Sequence, residues 1–183
     1  MGKVYDRIDD RLRAWLLSQP VVFVATAPLA GDGHVNVSPK GGRDTVAVLD
    51  ETTVAYLDYT GSGVETIAHV RENGRVTLMW CAFDGPPKIV RIHGRGSVVM
   101  PASARWPSLT AHFAGADDPR VRAVIVVEAE RISDSCGYGV PLMDLRADRD
   151  LLESWSAKKG PDGLSSYRRE KNAVSIDGLP GLP

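Results

Sequence analysis

The sequence predicts an antiparallel β-barrel with peripheral helices, in the mainly-β or α+β class. About six or seven segments are rich in β-branched and aromatic residues, as strands are. Short turns join most of them, which favours antiparallel pairing because parallel neighbours need a long crossover. Helical patterns occur only at the start, in the middle and at the end. A chain of 183 residues suits one domain over 1–183.

The strand segments follow one another from residue 21 onward. We expect strands over residues 21–27, 34–38, 45–49, 53–59, 75–83, 88–100 and 122–133. The run Pro39-Lys40-Gly41-Gly42 is expected to end the second of them. Gly94 and Gly96 interrupt the sixth and indicate a bulge or a close approach of another backbone.

The predicted helices lie around this strand region. Residues 6–18 carry an apolar stripe of Ile8, Leu12, Trp15 and Leu16, and Pro20 ends the helix. A weak helix is expected over 106–113. A C-terminal helical extension, about 145–183, holds two further helices over 150–159 and 164–171, followed by a tail that we expect to be extended.

Composition excludes several classes of function. The formal net charge of −1 does not indicate nucleic acid or an anionic membrane as a partner. No run of 18 apolar residues predicts a membrane span, and the charged N-terminus lacks a signal region, so we expect a cytoplasmic protein. Cys81 and Cys136 fit no metal motif, and the four histidines have no ligand spacing, so no metal is expected.

The most informative stretch runs over residues 53–80. A strand leads through the turn Thr60-Gly61-Ser62-Gly63 into a helix that Asn73-Gly74 ends. Backbone N–H groups at such a helix start form a ready phosphate site. Ser62 and Glu65 also fit the S-x-x-E capping box, and both interpretations hold if backbone amides bind the phosphate. His69, on this helix, is expected to be exposed.

The strand over residues 34–38 supplies a second polar group. Asn36 and Ser38 share one face at the period of two, so Val35 and Val37 are expected to face the core. Lys40 and Arg43 follow in a glycine-rich turn and could supply positive charge.

Four segments resemble the pyridoxamine 5′-phosphate oxidase-like family of FMN-binding split β-barrels. They are VVFVATA with GHVNVSPKGG, then TVAYLDYTGSG, then the helix exit ENGRV, and then KIVRIHGRGSVV. The resemblance covers about residues 15–132, and it is the order and spacing of the segments that carries it. The ends of the chain are similar to a subfamily of oxidases that are not true pyridoxamine phosphate oxidases.

The resemblance implies a homodimer with FMN in clefts between the subunits. The flavin ring would lie along the strand of residues 34–40, with its phosphate near the start of the central helix. Where well-studied members have a Ser-Arg-Lys run, this chain has Val64, Glu65 and Thr66. Arg168, Arg169 or Lys171 could therefore reach in from the C-terminal region. The cofactor-binding residues expected from this resemblance are Asn36, Ser38, Lys40, Thr60, Gly61, Ser62, Gly63, Thr66 and Lys88.

The function expected on this basis is an FMN-dependent oxidoreductase acting on a small molecule of unknown identity. No catalytic side chain is assigned, because the cofactor carries the electrons and the protein orients it. Two alternatives stay open. One is a reductase that uses the deazaflavin F420, and the other is a non-catalytic flavin- or haem-binding protein.

Overall fold

The structure is a computed structural model and describes residues 2–42 and 44–183. These residues form eight strands and four helices. In chain order they are β1 Val4–Tyr5, α1 Asp10–Ser18, β2 Val21–Thr26, β3 Asn36–Gly41, β4 Val46–Val48, β5 Thr53–Tyr59, α2 Glu65–Asn73, β6 Arg75–Cys81, β7 Ile89–Val99, α3 Trp106–Thr110, β8 Val121–Ser135 and α4 Leu151–Lys171.

All the strands belong to one antiparallel sheet. Seven strands follow the order β3-β2-β6-β7-β8-β5-β4, and the short β1 pairs with β8. The edge strands β3 and β4 are consecutive in sequence, and the sheet curls until Lys40 of β3 reaches Asp58 of β5. This curled half-barrel confirms the predicted antiparallel fold and its mainly-β or α+β class.

Two apolar clusters hold the sheet in this shape. The larger one lies inside the curl, where α2 packs against β2, β6 and β7 and α1 packs against β4, with Leu16, Ile67, Trp80 and Ile92 fully buried. The smaller one lies on the other face, under α3. Because both faces of β8 are covered, residues 121–127 are buried without interruption. Burial of this apolar surface contributes about 25 cal/mol per Å².

The glycines of β7 are required by packing, as predicted. The register with β8 shifts between His93 and Gly94. A Cβ atom on Gly94 would lie 2.0 Å from the carbonyl oxygen of Glu128, closer than any side chain can approach. The interruption in the pattern is therefore a β-bulge with a close backbone approach.

Two predicted boundaries, the start of α1 and the end of β3, were wrong. Helix α1 begins at Asp10, because the Asp9 carboxylate accepts from the Leu12 amide at 2.7 Å and caps it. Strand β3 continues through Pro39 to Gly41. An edge strand tolerates proline because one side of its backbone needs no ladder hydrogen bond.

The C-terminal tail is folded rather than extended. Helix α4 is broken at Gly160, whose φ is 64°, and Pro161 follows, which agrees with the two predicted helices. Beyond α4 the chain turns back on itself, with Val174 bridged to Pro180. We call residues 172–182 the C-terminal hairpin. Within the described residues, no helix is long and apolar enough to cross a membrane.

Candidate functional site

The inner face of β3 is polar. Asn36, Ser38 and Lys40 are half-buried on it, which confirms that Asn36 and Ser38 share a face. The prediction that Val35 and Val37 face the core was wrong, since they are 71% and 62% exposed. The alternation identifies residues that share a face, but the curl of the sheet decides which face points inward. Here the polar face meets the polar side chains of α2 and β5.

Hydrogen bonds join this face to the start of α2. The side-chain nitrogen of Asn36, Nδ2, donates to the hydroxyl oxygen of Thr26 at 3.1 Å and to that of Thr66 at 3.0 Å. The Ser38 hydroxyl donates to the side-chain oxygen of Asn36 at 2.9 Å. Thr26 Oγ1 lies 3.0 Å from His69 Nδ1. Three of the predicted site residues, Asn36, Ser38 and Thr66, are thus brought together.

Two buried polar atoms beside this network have no partner among the described residues. They are His69 Nε2 and the Tyr56 hydroxyl. The prediction that His69 is exposed was wrong, because its side chain completes the seam between α2 and β2 and is fully buried. Burial lowers the pKa of His69, against the charges of Asp177 and Glu65. Burial and the Asp58 charge raise the pKa of Tyr56 well above its ordinary value. Both groups are therefore neutral near pH 7.

A buried carboxylate, Asp58, lies at the centre of the site. Lys40 Nζ donates to one of its oxygens at 3.1 Å, and Arg122 Nε donates to the other at 2.7 Å. Burial alone would raise the pKa of Asp58, but the two cations outweigh it and hold the pKa below its usual range. The pairing joins β3, β5 and β8 at one point.

Sequence reasoning missed Asp58 and Arg122 as site residues, although a signal was present. Each is a charged residue inside an otherwise apolar strand, YLDY and VRAVIVV. Because such charges are almost never buried unless they are paired, two of opposite sign in neighbouring strands predict one another. Their separation of 64 residues hides the pair from any local pattern.

Thr60 lies at the end of β5 and is fully buried. Its hydroxyl donates to the Arg120 carbonyl oxygen at 2.9 Å and accepts from Arg168 Nε at 2.8 Å. Arg168 also donates to the Pro119 carbonyl oxygen at 2.6 Å, so both of these acceptors are neutral. Burial and the nearby Arg122 lower the pKa of Arg168.

The expected reach of the C-terminal region into the site is therefore seen for Arg168, within one chain. Arg169 instead bonds Ser165 and Ser166 on its own helix, and Lys171 pairs with Glu170.

The glycine turn presents its carbonyl groups to the interior. The Gly61 oxygen accepts from Asn172 Nδ2 at 2.9 Å, and the Gly63 oxygen accepts from Arg122 at 2.8 Å. Ser62 is exposed. The predicted capping box was wrong: Val64 is the N-cap and no side chain caps the helix. The Glu65 carboxylate accepts instead from a backbone amide of the C-terminal hairpin.

Lys88 is the predicted site residue that the structure does not bring to this region. Its ammonium group lies 4.8 Å from the Trp15 ring centre and 5.5 Å from that of Tyr5. These rings line a separate groove of about 1030 Å³. Its role in binding remains a prediction. Arg43 lies outside the described residues.

The charges of the site suit an anionic group. Three cations, Lys40, Arg122 and Arg168, are set against two carboxylates, the buried Asp58 and the Glu65 side chain that lies against Gly63, which leaves an excess of one positive charge. Each of the three guanidinium nitrogens of Arg122 already donates to a protein oxygen, whereas Lys40 gives one of its three ammonium donors to Asp58. An anion entering here would find charge-assisted donors in place of the missing Ser-Arg-Lys run.

Comparison with known proteins gives a consistent result. The family model for pyridoxamine 5′-phosphate oxidase matches residues 8–136. The pyridoxamine 5′-phosphate oxidase family protein ustO of Aspergillus flavus is 41% identical over 194 aligned residues, covering 97% of this chain and 77% of that protein.

Two solved structures share the fold. A HupZ variant from Group A Streptococcus has a TM-score of 0.56 at 20% identity, covering 70% of this chain and 99% of that chain. The conserved hypothetical protein Rv2991 from Mycobacterium tuberculosis has a TM-score of 0.51 at 17% identity, covering 76% and 92%. Together with the curled antiparallel sheet, the sequence matches show that this chain belongs to the pyridoxamine 5′-phosphate oxidase family.

Proposed function

We propose that the protein binds FMN and acts as an oxidoreductase on a small molecule. The observation that carries this proposal is the polar inner face of β3, where Asn36 bonds Thr66 at the start of α2 and Lys40 bonds Asp58, two residues before the glycine turn. In a chain of this family, this arrangement would place hydrogen-bonding groups along one side of a bound flavin and cations at the other.

Different residues of the chain would contact the phosphate and the flavin ring of the cofactor. Lys40 and Arg168 are the cations with donors to offer its phosphate, and the exposed Ser62 adds a hydroxyl. Asn36 and Ser38 present amide and hydroxyl groups to the polar edge of the flavin ring. When bound, the flavin would supply the redox chemistry, and the protein would orient the substrate and exclude water.

A homodimer is part of this proposal. Val37 lies exposed on the edge strand β3, next to the polar face, and Val35 lies exposed just before it. A second exposed apolar group lies in the segment after β8, where Tyr138, Leu142 and Met143 are 82%, 80% and 59% exposed. Apolar surface of this kind marks interaction sites. A second subunit covering β3 would close the cleft. A cytoplasmic location remains a prediction from the sequence.

Titration with FMN, riboflavin and FAD, followed by flavin fluorescence, tests the proposal. We expect FMN to bind at least tenfold more tightly than riboflavin, because only FMN offers a phosphate to the cations. K40Q should weaken FMN binding about tenfold or more, since a hydrogen bond to a charged group contributes about 1.5–3 kcal/mol. K158A, which removes an exposed lysine of α4, is the matched control, and K88A tests the predicted role of Lys88.

Three outcomes would contradict the proposal or part of it. A chain that binds no flavin is not a flavoprotein. Equal affinity for FMN and riboflavin would remove the phosphate site. Tight binding of F420 in the same assay, without binding of FMN, would favour the deazaflavin-dependent reductase.

A further inference from the structure

A groove of about 1030 Å³ lies between α1, the N-terminal strand β1 and the turn that joins β6 to β7. Ligand pockets are commonly about 300–1,000 Å³, so this groove can hold a small organic molecule. It shares no lining residue with the polar face of β3 or with the glycine turn. A ligand of this groove would therefore bind apart from the proposed flavin.

Lys88 reaches into this groove from a fixed backbone. The Ala82 amide donates to the Lys88 carbonyl oxygen at 2.8 Å. Gly137 packs so closely on Lys88 that a Cβ atom would lie 2.7 Å from the Lys88 backbone nitrogen. The ammonium group lies 4.8 Å from the Trp15 ring centre and 5.5 Å from that of Tyr5, within the range of a cation–π contact. Both ends of the Lys88 side chain are therefore held in place.

Lys88 differs from the other partly buried cations, because its ammonium group has no oxygen partner within the described residues. Every other buried or half-buried lysine or arginine that the structure describes donates to a protein oxygen. These are Arg13, Lys40, Arg91, Arg120, Arg122 and Arg168. Burial lowers the pKa of Lys88, against the attraction of Asp134. A partly buried ammonium group of this kind gains a charge-assisted hydrogen bond when a ligand supplies an acceptor.

The carboxylates that line the groove already accept hydrogen bonds from other groups. Both Asp134 oxygens accept, one from the Tyr5 hydroxyl and the other from the Lys3 amide. Asp9 caps α1, and Asp84 accepts from the amide of the next residue. The ammonium group keeps its three donors for a ligand.

The charge of the groove decides which anion it suits. The cations of the lining are Lys3, Arg11 and Lys88, and its carboxylates are Asp9, Asp84 and Asp134. Because these formal charges cancel, a dianion such as a phosphate monoester would meet carboxylates whose repulsion no further cation offsets. A single carboxylate group needs only the donors of Lys88.

We propose that this groove binds a small aromatic carboxylate, whose anionic group accepts from Lys88 and whose ring packs against Trp15 and the Pro86-Pro87 turn. Both prolines are exposed and line the groove. Flat apolar surfaces favour a rigid ring over a flexible chain, because a ring loses less conformational freedom on binding. The site goes beyond the proposed function, since it requires neither a flavin nor a second subunit.

Titration of the full chain with naphthoate, followed by the NMR signal of the Trp15 indole N–H, tests the proposal without flavin. Naphthamide is the matched probe, because it has the same rings and no charge. We expect naphthoate to bind about tenfold more tightly than naphthamide, since it alone forms a hydrogen bond between two charged groups. K88M keeps the apolar stem of the side chain and should abolish this preference, whereas K88R should retain it. K158M, which alters an exposed lysine of α4, is the control and should behave as wild type.

The outcomes separate this inference from the proposed function. Equal affinity for the two probes, an unchanged preference in K88M, or binding that leaves the Trp15 signal fixed would overturn the groove site. Displacement of naphthoate by FMN would also overturn it, because the groove would then belong to the cofactor. If FMN binds and naphthoate does not, the flavoprotein proposal stands alone. If naphthoate binds as expected and no flavin binds, the groove site stands and the flavin proposal falls.

Discussion

Two aspartates from other parts of the chain hold the two ends of β3. Asp58 pairs with Lys40 near one end, and Asp177 pairs with His34 just before the other. Asp58 and Asp177 each accept from two donors, Lys40 and Arg122 for one, and the amide and ring of His34 for the other. Asp58 is fully buried together with Arg122, whereas Asp177 is 15% exposed and its partner His34 is 71% exposed. Water therefore reaches His34, but neither Asp58 nor Arg122.

The difference in burial decides what each pair can do. Breaking a buried ion pair leaves a charge with no solvent to compensate it, so the remaining partner is strongly destabilised. A pair with one exposed partner contributes less to stability, because water solvates that partner when the bond breaks. The Asp58 pair therefore fixes the position of β3, while the Asp177 pair can open at a smaller cost.

The largest effect is expected from D58N. The substitution keeps the shape of the side chain but leaves Arg122 buried without a countercharge, so the free energy of unfolding should fall by about 3–5 kcal/mol. Urea denaturation at pH 7 measures it. D177N should lower the free energy of unfolding by much less than D58N does, because its partner His34 is exposed to water. Equal losses in both variants would show that burial does not distinguish the two aspartates.

A smaller effect of the opposite sign is expected from Y56F. Tyr56 lies two residues before Asp58, and its hydroxyl has no partner among the described residues. Removing an unsatisfied buried hydroxyl should leave the free energy of unfolding unchanged or raise it by about 1 kcal/mol. Y59F, at a partly exposed position, is the control in the same denaturation assay. A loss of more than 1 kcal/mol would show that the hydroxyl is hydrogen-bonded in solution.

The sequence predicted what depends on local pattern and missed what depends on the curl of the sheet. Alternation identified β5 to the residue, and Gly74, with φ 72°, ends α2 as predicted. The same alternation could not tell which side of β3 faces inward, because the answer depends on strands far away in sequence. His69 was misplaced for the same reason, since its burial comes from β2.

The sequence predicted part of the candidate site but missed its buried charged residues. Asn36, Ser38, Thr60 and Thr66 were identified from the strand face and the glycine turn, and the structure brings them to one region. The residues that were missed, Asp58, Arg122 and Asn172, hydrogen-bond within the same region but come from three separate elements. The capping box failed because the hairpin, more than a hundred residues later, engages Glu65. A tertiary contact of Glu65 therefore outweighed the local capping pattern.

The smallest effect, and the one that isolates the Asp177 pair, is its dependence on pH. The bond to Asp177 raises the pKa of His34 above 6.5, so its contribution is complete below that value and is lost as pH rises through the raised pKa. The pKa of Asp177 is lowered below 3.8, so its contribution is lost as pH falls through the lowered value. The tip of the C-terminal hairpin, around Asp177 and Gly178, should therefore be held closed against His34 most firmly between pH 3.8 and 6.5.

NMR shifts of the His34 ring and the Gly178 amide, recorded from pH 4 to pH 9, measure this closure. Both signals should titrate together above pH 6.5, because opening of the tip accompanies loss of the His34 proton. His69 is already neutral there, since burial lowers its pKa, and so it does not contribute to the step. H34Q should abolish the Gly178 transition while D58N retains it. A transition that persists in H34Q would assign the closure to another group and separate the tip from the His34–Asp177 pair.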